Sequence, residues 1–484
     1  MSRQPTVLAL DIGTTETKGG LVAADGRLMA TARAGYALDL DLAMGSAEQD
    51  PEAWWVAVVA VIRQLADQAE GPIQSICCVG QGPTLVAVDD RGRPTRSALT
   101  WMDRRGGEEA AEMEQATGLA GFALGILPAA RWVERHEPLV AAETRWYLNT
   151  WEWASYRLTS VAARTRSPGQ PVAEPQQAEA GGVPANRLAP VVDVGRAVGE
   201  LRAAVAAELG LATGIPVLAG TVDSFAGCHG AGLVAAGDAI DTGGTSGGLA
   251  VYADAPVEIP DTWVAPAPLA DRWIVGGAMT ATGKALDWFR DDVLGGGPAA
   301  ARRIREAAAV APGADGLLFL PYLAGERSPI WDPLARGAFV GLTLRHQAPH
   351  LARAILEAAA LALRHVARPI IAAGLAIPEV RVTGGTAAFD AWNQIKADVL
   401  GVTVAAPQVR DAAIEGAAII GATHLGWHAD IVAAIKAMVR IDRRWEPTES
   451  NRALYDGLFE AYLALWPAIA PTVHRLADLS AEPG

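Results

Sequence analysis

Short apolar runs separated by polar turns set the rhythm of this chain. Runs of strand length fall at Val7–Leu10, Gly20–Ala23, Ile76–Val79, Leu85–Val88, Pro216–Ala219, Ala239–Asp241 and Leu249–Tyr252. Others follow at Trp273–Val275, Leu317–Leu320, Val380–Val382 and Val402–Val404. Between them apolar residues recur at helical spacing. His350–Ala372 reads "HLARAILEAAALALRHVARPIIA", with arginines on the face opposite the apolar stripe. "EQDPEAWWVAVVAVIRQLADQ" predicts another helix, with Asp50 as N-cap and Pro51 as its first residue. A last helix is expected near Asn451–Leu476. Strands alternating with helices predict an α/β fold. Thr165–Ala185 is rich in Pro, Gln, Glu and Ala without a period, and reads as a surface loop or mobile segment.

One pattern occurs twice, half a chain apart. Asp11-Ile12-Gly13-Thr14-Thr15 sits between two apolar strands, and Asp241-Thr242-Gly243-Gly244-Thr245-Ser246 repeats it. The repeat predicts two related domains, each opening on a strand–loop–strand. Glycines let backbone N–H groups approach a ligand, and the hydroxyls of Thr14, Thr15, Thr245 and Ser246 add donors, as a phosphate cradle requires. Asp11 beside such a cradle suits phosphate carrying Mg²⁺, bound through water. No Gly-x4-Gly-Lys-Ser/Thr run occurs, so the chain is not a P-loop protein.

Composition narrows the picture further. With 484 residues, two cores are expected rather than one. The net charge of −14 argues against nucleic acid or an anionic membrane as partner. Cys77, Cys78 and Cys228 form neither a disulfide framework nor a metal pattern, which fits free thiols in a reducing cytoplasm. No uninterrupted apolar run reaches the length of a membrane span.

Several blocks resemble the FGGY family of carbohydrate kinases. "GAFVGLTLRHQAPHLARAILE" (Gly337–Glu357) resembles the family's second signature position by position. "EQDPEAWW", "GQGPTLVAVDDRGRP", "LTWMDRR", "GTVDSFAGCHGAG" and "VTGGTAAFDAWNQIKADVLG" resemble family blocks in family order. The resemblance implies two actin-like, RNase H-like α/β domains facing each other across a deep cleft. Residues 1–242 would bind sugar and carry the base, and residues 243–484 would bind nucleotide. The implied activity is ATP-dependent phosphorylation of a terminal hydroxyl on a free pentulose such as xylulose, or a related ketose or polyol.

The resemblance places the general base at Asp223, whose alternative role is to cap the following helix. It implies substrate contacts at Gln81, Pro83, Trp101, Asp103 and Arg104, where the alternative is a packed tryptophan beside a surface salt bridge. Nucleotide or phosphate contacts are implied at Thr14, Thr15, Lys18, Gly244, Thr245, Ser246, Gly283, Gly384, Gly385 and Thr386, with Mg²⁺ at Asp11. Trp392 reads as core rather than as an adenine stacker. A homodimer is common in the family, but the sequence carries no interface signal.

The chain also departs from xylulokinase-like members. Their Gln-Met-His-Gly run is Gln81-Gly82-Pro83-Thr84 here, and Ser224 stands where Asn is usual. Loss of a hydrogen-bonding His counts against D-xylulose itself. The competing expectation is a nucleotide-switched binding protein of the actin or chaperone type on the same fold.

Overall fold

The computed structural model describes residues 4–41, 45–244 and 247–481. Two compact units emerge. The first comprises Met1–Gly232, Pro266–Ala270 and Asp411–Arg440; the second comprises Leu233–Ala265, Asp271–Arg410 and Ile441–Gly484.

The sheet of unit 1 uses β1 (Thr6–Ile12), β2 (Glu16–Ala23), β3 (Leu28–Gly35), β4 (Ile73–Gly80), β5 (Ala197–Glu200) and β6 (Pro216–Leu218). Its order is β5, β6, β4, β1, β2, β3. β1, β2 and β3 form an antiparallel meander, β4 and β6 add in parallel, and β5 closes the edge antiparallel. All seven residues of β1 are buried, as a central strand covered on both faces requires. Two adjacent glycines in β2 mark the covering helices. A Cβ on Gly19 would strike Val61 and Leu65 of α1 (Pro51–Gln68), and one on Gly20 would strike Ile414 of a helix on the other face. As expected, Asp50 caps α1, accepting from the Glu52 amide at 2.9 Å.

Unit 2 repeats this plan with β7 (Ala239–Asp241), β8 (Gly247–Ala253), β9 (Trp263–Pro266), β10 (Trp273–Met279), β11 (Glu379–Val382), β12 (Thr403–Pro407) and β13 (Ile441–Trp445). Their order is β9, β10, β8, β7, β11, β12, β13. β10, β8 and β7 form the antiparallel part, β11 and β12 are parallel, and β13 is antiparallel. β7 therefore stands where β1 stands in unit 1, and Asp241 ends β7 as Asp11 approaches the end of β1. The internal repeat seen in the sequence is a repeat of topology.

The units are not cut where the sequence suggested. The chain leaves unit 1 at Gly232, ahead of 242/243, and Asp411–Arg440 returns to unit 1. The reason is α5 (Ala412–His424), the helix that covers Gly20 of β2. Gly421 of this helix lies against Val7 of β1, where a Cβ would come within 2.6 Å. α5 also crosses α2 (Asp223–Gly230) backbone to backbone. A Cβ on Gly416 would sit 1.9 Å from the Ala226 carbonyl oxygen, and one on Gly230 would sit 1.9 Å from that of Ala412. Only glycine permits that approach.

Two further expectations change. Leu85–Val88 lies outside the main sheet, with Val86–Val88 pairing instead with Trp146–Leu148. Thr165–Ala185 is not a loose loop. It begins within the strand Arg164–Arg166, holds the helix Pro175–Ala180, and buries Ser167, Ala173, Ala178 and Val183. Arg164 fastens it by donating to the carbonyls of Ala189 and Ala173, at 2.9 and 3.0 Å. Among the described residues no helix is long and apolar enough to cross a membrane, and the three buried cysteines form no disulfide.

Candidate active site

The β1–β2 register sets Asp11 opposite Lys18. Asp11 is buried, and its Oδ1 has no hydrogen-bond partner. Burial pushes its pKa up to about 8; the charge of Asp223 adds to the rise and Lys18 opposes it. Asp223 opens α2 just after β6. It is partly buried, and its carboxylate accepts from the Ser224 amide at 2.6 Å. Val222, not Asp223, is the N-cap residue of α2, so the capping alternative does not hold and Asp223 is the helix's first residue. Desolvation raises Asp223 to about 6, against the Ser224 hydrogen bond and the Lys18 charge. Its carboxylate is therefore ionised at neutral pH, yet more basic than an ordinary aspartate.

Lys18 donates to Asp411 at 3.0 Å and lies 3.9 Å from Glu16, so its ammonium already has carboxylate partners. Thr14 and Thr15 sit in the β1–β2 loop, Thr15 exposed. Three residues hold this loop. Gln49 donates to the Thr14 carbonyl at 2.7 Å, Tyr36 to the Gly13 carbonyl at 2.6 Å, and Gln81 to the Gly13 carbonyl at 3.3 Å. Gln49 and Tyr36 were not anticipated: "EQD" before α1 marks a helix start and part of a family-like block, and neither points to the Thr14 carbonyl.

The expected substrate residues divide. Trp101 is 41% exposed, and its Nε1 donates to Thr14 Oγ1 at 3.1 Å, which fixes an open ring face beside the loop. Pro83 lines a cavity of about 130 Å³, together with Phe122, Val222 and Phe225. Arg104 is exposed. Gln81 is buried, with Nε2 donating to Gln49 and Gly13 and Oε1 accepting from Thr14, so it shapes the loop and has no free donor for a sugar. Asp103 is likewise engaged, by Arg105 at 2.6 Å and the Ala47 amide at 2.9 Å. The expected salt bridge is real, but its cation is Arg105, which also reaches Glu48.

In unit 2 two glycine turns meet. Gly243 and Gly384 are so close that a Cβ on Gly384 would lie 2.9 Å from the Gly243 carbonyl oxygen. A Cβ on Gly243 would strike Thr386 Oγ1. Gly244 continues the first turn and Gly385 the second, the latter with open space where a side chain would be. Thr245 and Ser246 lie outside the described residues. Gly283 is the second residue of the helix Thr282–Trp288. Asp241 anchors the first turn: its Oδ1 accepts from the Gly243 amide at 3.1 Å. Its Oδ2 accepts from Lys396 Nζ of α4 (Asp390–Leu400) at 2.6 Å, in an almost fully buried ion pair. Trp392 is core, as expected, and donates to the Leu356 carbonyl. In α3 (Ala348–Ala372), Arg353 and Glu357 close the signature stretch as a buried ion pair at 2.8 Å shared with Tyr455.

Residues 6–167 match the FGGY family of carbohydrate kinases, N-terminal domain, and residues 241–425 match the C-terminal domain of the same family. The xylulose kinase of Staphylococcus epidermidis is 29% identical over 483 residues, covering 95% of this chain and 96% of that protein. The gluconokinase of Bacillus subtilis is 26% identical, covering 98% of each. The crystal structure of xylulose kinase from Rhodospirillum rubrum superposes with a TM-score of 0.80 at 30% identity, covering 97% of this chain and 100% of that one. The chain is a sugar phosphotransferase built from two actin-like domains, and the competing expectation of a nucleotide-switched binding protein is set aside. It belongs to the FGGY family of carbohydrate kinases.

Proposed function

We propose that this kinase transfers the γ-phosphoryl group of ATP to a terminal hydroxyl of a small sugar or polyol, with Asp223 as general base. The observation that carries this reading is the pair Asp11 and Asp223. Each has a pKa raised by burial, and the charge of Asp223 bears on Asp11. Asp223 accepts the proton of the attacking hydroxyl, a step typically worth ~10²–10⁴-fold in rate. Unit 1 holds the acceptor, with Trp101 and Pro83 against it and Arg104 in reach of its hydroxyls. Gln81 and Asp103 act one step removed, shaping the loop and its flank.

The nucleotide belongs to unit 2. Gly243, Gly244, Gly384, Gly385 and Thr386 offer a glycine-lined surface for it, and Gly283, Thr245 and Ser246 complete the set. Thr14, Thr15 and Lys18 are the candidate phosphate contacts within unit 1. Asp11 fits Mg²⁺: a buried carboxylate oxygen without a partner is a ligand held ready, and Mg²⁺ is commonly bound through one or two carboxylates and its own waters. Bound there, the ion would offset phosphate charge. Xylulose and other ketoses or polyols are the acceptors to test first, since relatives include xylulose kinases and gluconokinases.

ADP release on a panel of pentuloses, hexuloses, polyols and aldonates tests the reading. One or more acceptors should stimulate release strongly over the acceptor-free rate. Asp223→Asn should lose ~10²-fold or more in kcat while ATP still raises the melting temperature. Full turnover in that variant removes Asp223 from the reaction.

A further inference from the structure

Resting on that reading, we propose that the acceptor carries an apolar end, a deoxygenated or alkyl carbon remote from the reacting hydroxyl, seated in the cavity of unit 1. Thr221 and Val222, the two residues before Asp223 in the chain, and Phe225, two residues after it, all line the cavity. Its apolar wall includes Pro83, Phe122, Leu124, Val172, Val222 and Phe225. Phe122 and Phe225 stack with ring centroids 6.4 Å apart.

The polar side chains on the wall already have partners within the protein. Glu152 accepts from the amide and side chain of Asn149 and from the amide and hydroxyl of Thr165. Trp151 Nε1 also donates to the Thr165 hydroxyl. Arg164 serves two carbonyls, and Ser167 and Thr221 share a hydrogen bond at 3.0 Å. Gln170 donates to the Pro266 carbonyl. Most of the wall's polar groups are thus engaged within the protein, so a hydroxyl seated here gains few partners in exchange for water, whereas a methyl group buries area at about 25 cal/mol per Å². Pro83, where a histidine would donate, extends the same character.

Matched acceptors differing by one remote hydroxyl decide the matter. The probes are D-xylulose and 1-deoxy-D-xylulose, with deoxy and hydroxylated pairs of hexuloses and polyols beside them, and gluconate as an anionic probe. The expected result is a kcat/KM about 10-fold higher for the deoxy member of whichever pair is turned over, the scale an apolar pocket can discriminate. Phe122 is 53% exposed, so Phe122→Asn should fold, and it should return that ratio towards one. Equal or better use of the hydroxylated member overturns this inference and leaves the kinase intact. Preference for gluconate overturns it in favour of a charge contact to Arg164. No ADP release with any acceptor overturns the kinase reading itself, and this inference with it.

Discussion

Burial disfavours the charged forms of Asp11 and Asp223, and this has a sign that can be checked. A carboxyl whose folded pKa is raised binds protons more tightly in the folded state. Its contribution to stability is therefore full below pH ~4 and is lost as pH rises through the folded value, near 8 for Asp11. Asp11→Asn should raise the melting temperature at pH 8 and do little at pH 4, by scanning calorimetry, while costing Mg²⁺-dependent turnover. Turnover has its own limb. With Asp223 near 6, kcat/KM should fall as pH drops below ~6, not below ~4. Lys18 holds Asp223 down, so Lys18→Met should move that limb to higher pH in a pH–rate profile. An unmoved limb would separate Lys18 from the base.

At the scale of elements, helix α4 fixes the first glycine turn of unit 2 through a single ion pair. Removing one partner of a buried pair commonly costs 3–5 kcal/mol, because the other charge is left stranded. Lys396→Met should cost that much in denaturant unfolding of unit 2, and Asp241→Asn added to it should recover most of the loss. ADP affinity should stay weakened in the double variant, since the Gly243 turn has lost its carboxylate anchor.

Much of this layer was legible beforehand. Apolar runs found the strands, Asp50-Pro51 found the start of α1, and the repeated Asp-x-Gly found the topological twin. What stayed hidden was pairing. Nothing local says that Arg105, one place beyond Arg104, would engage Asp103, or that Lys18 would meet Asp411 nearly the whole chain away. The Thr165–Ala185 segment misled because its order comes from Arg164 and carbonyl acceptors, which leave no periodic trace.

At the scale of the whole molecule, chain order and structural unit part company. A fragment cut at 1–242 would keep β1, β2 and α2 but lose α5, which covers β1 and meets α2 without a side chain between them. That fragment should show no cooperative melt by circular dichroism. Joining 411–440 to its end by a flexible linker should restore one.

The twin aspartates have a further consequence. Both halves carry an aspartate at the equivalent strand, and in the second half Lys396 neutralises it. A paramagnetic or luminescent cation offered to the protein, Mn²⁺ or Tb³⁺, should therefore report from the first half alone, broadening or lighting the neighbours of Asp11 while those of Asp241 stay dark. A single spectroscopic probe would then distinguish the aspartate left open to a cation from the one already closed by its lysine.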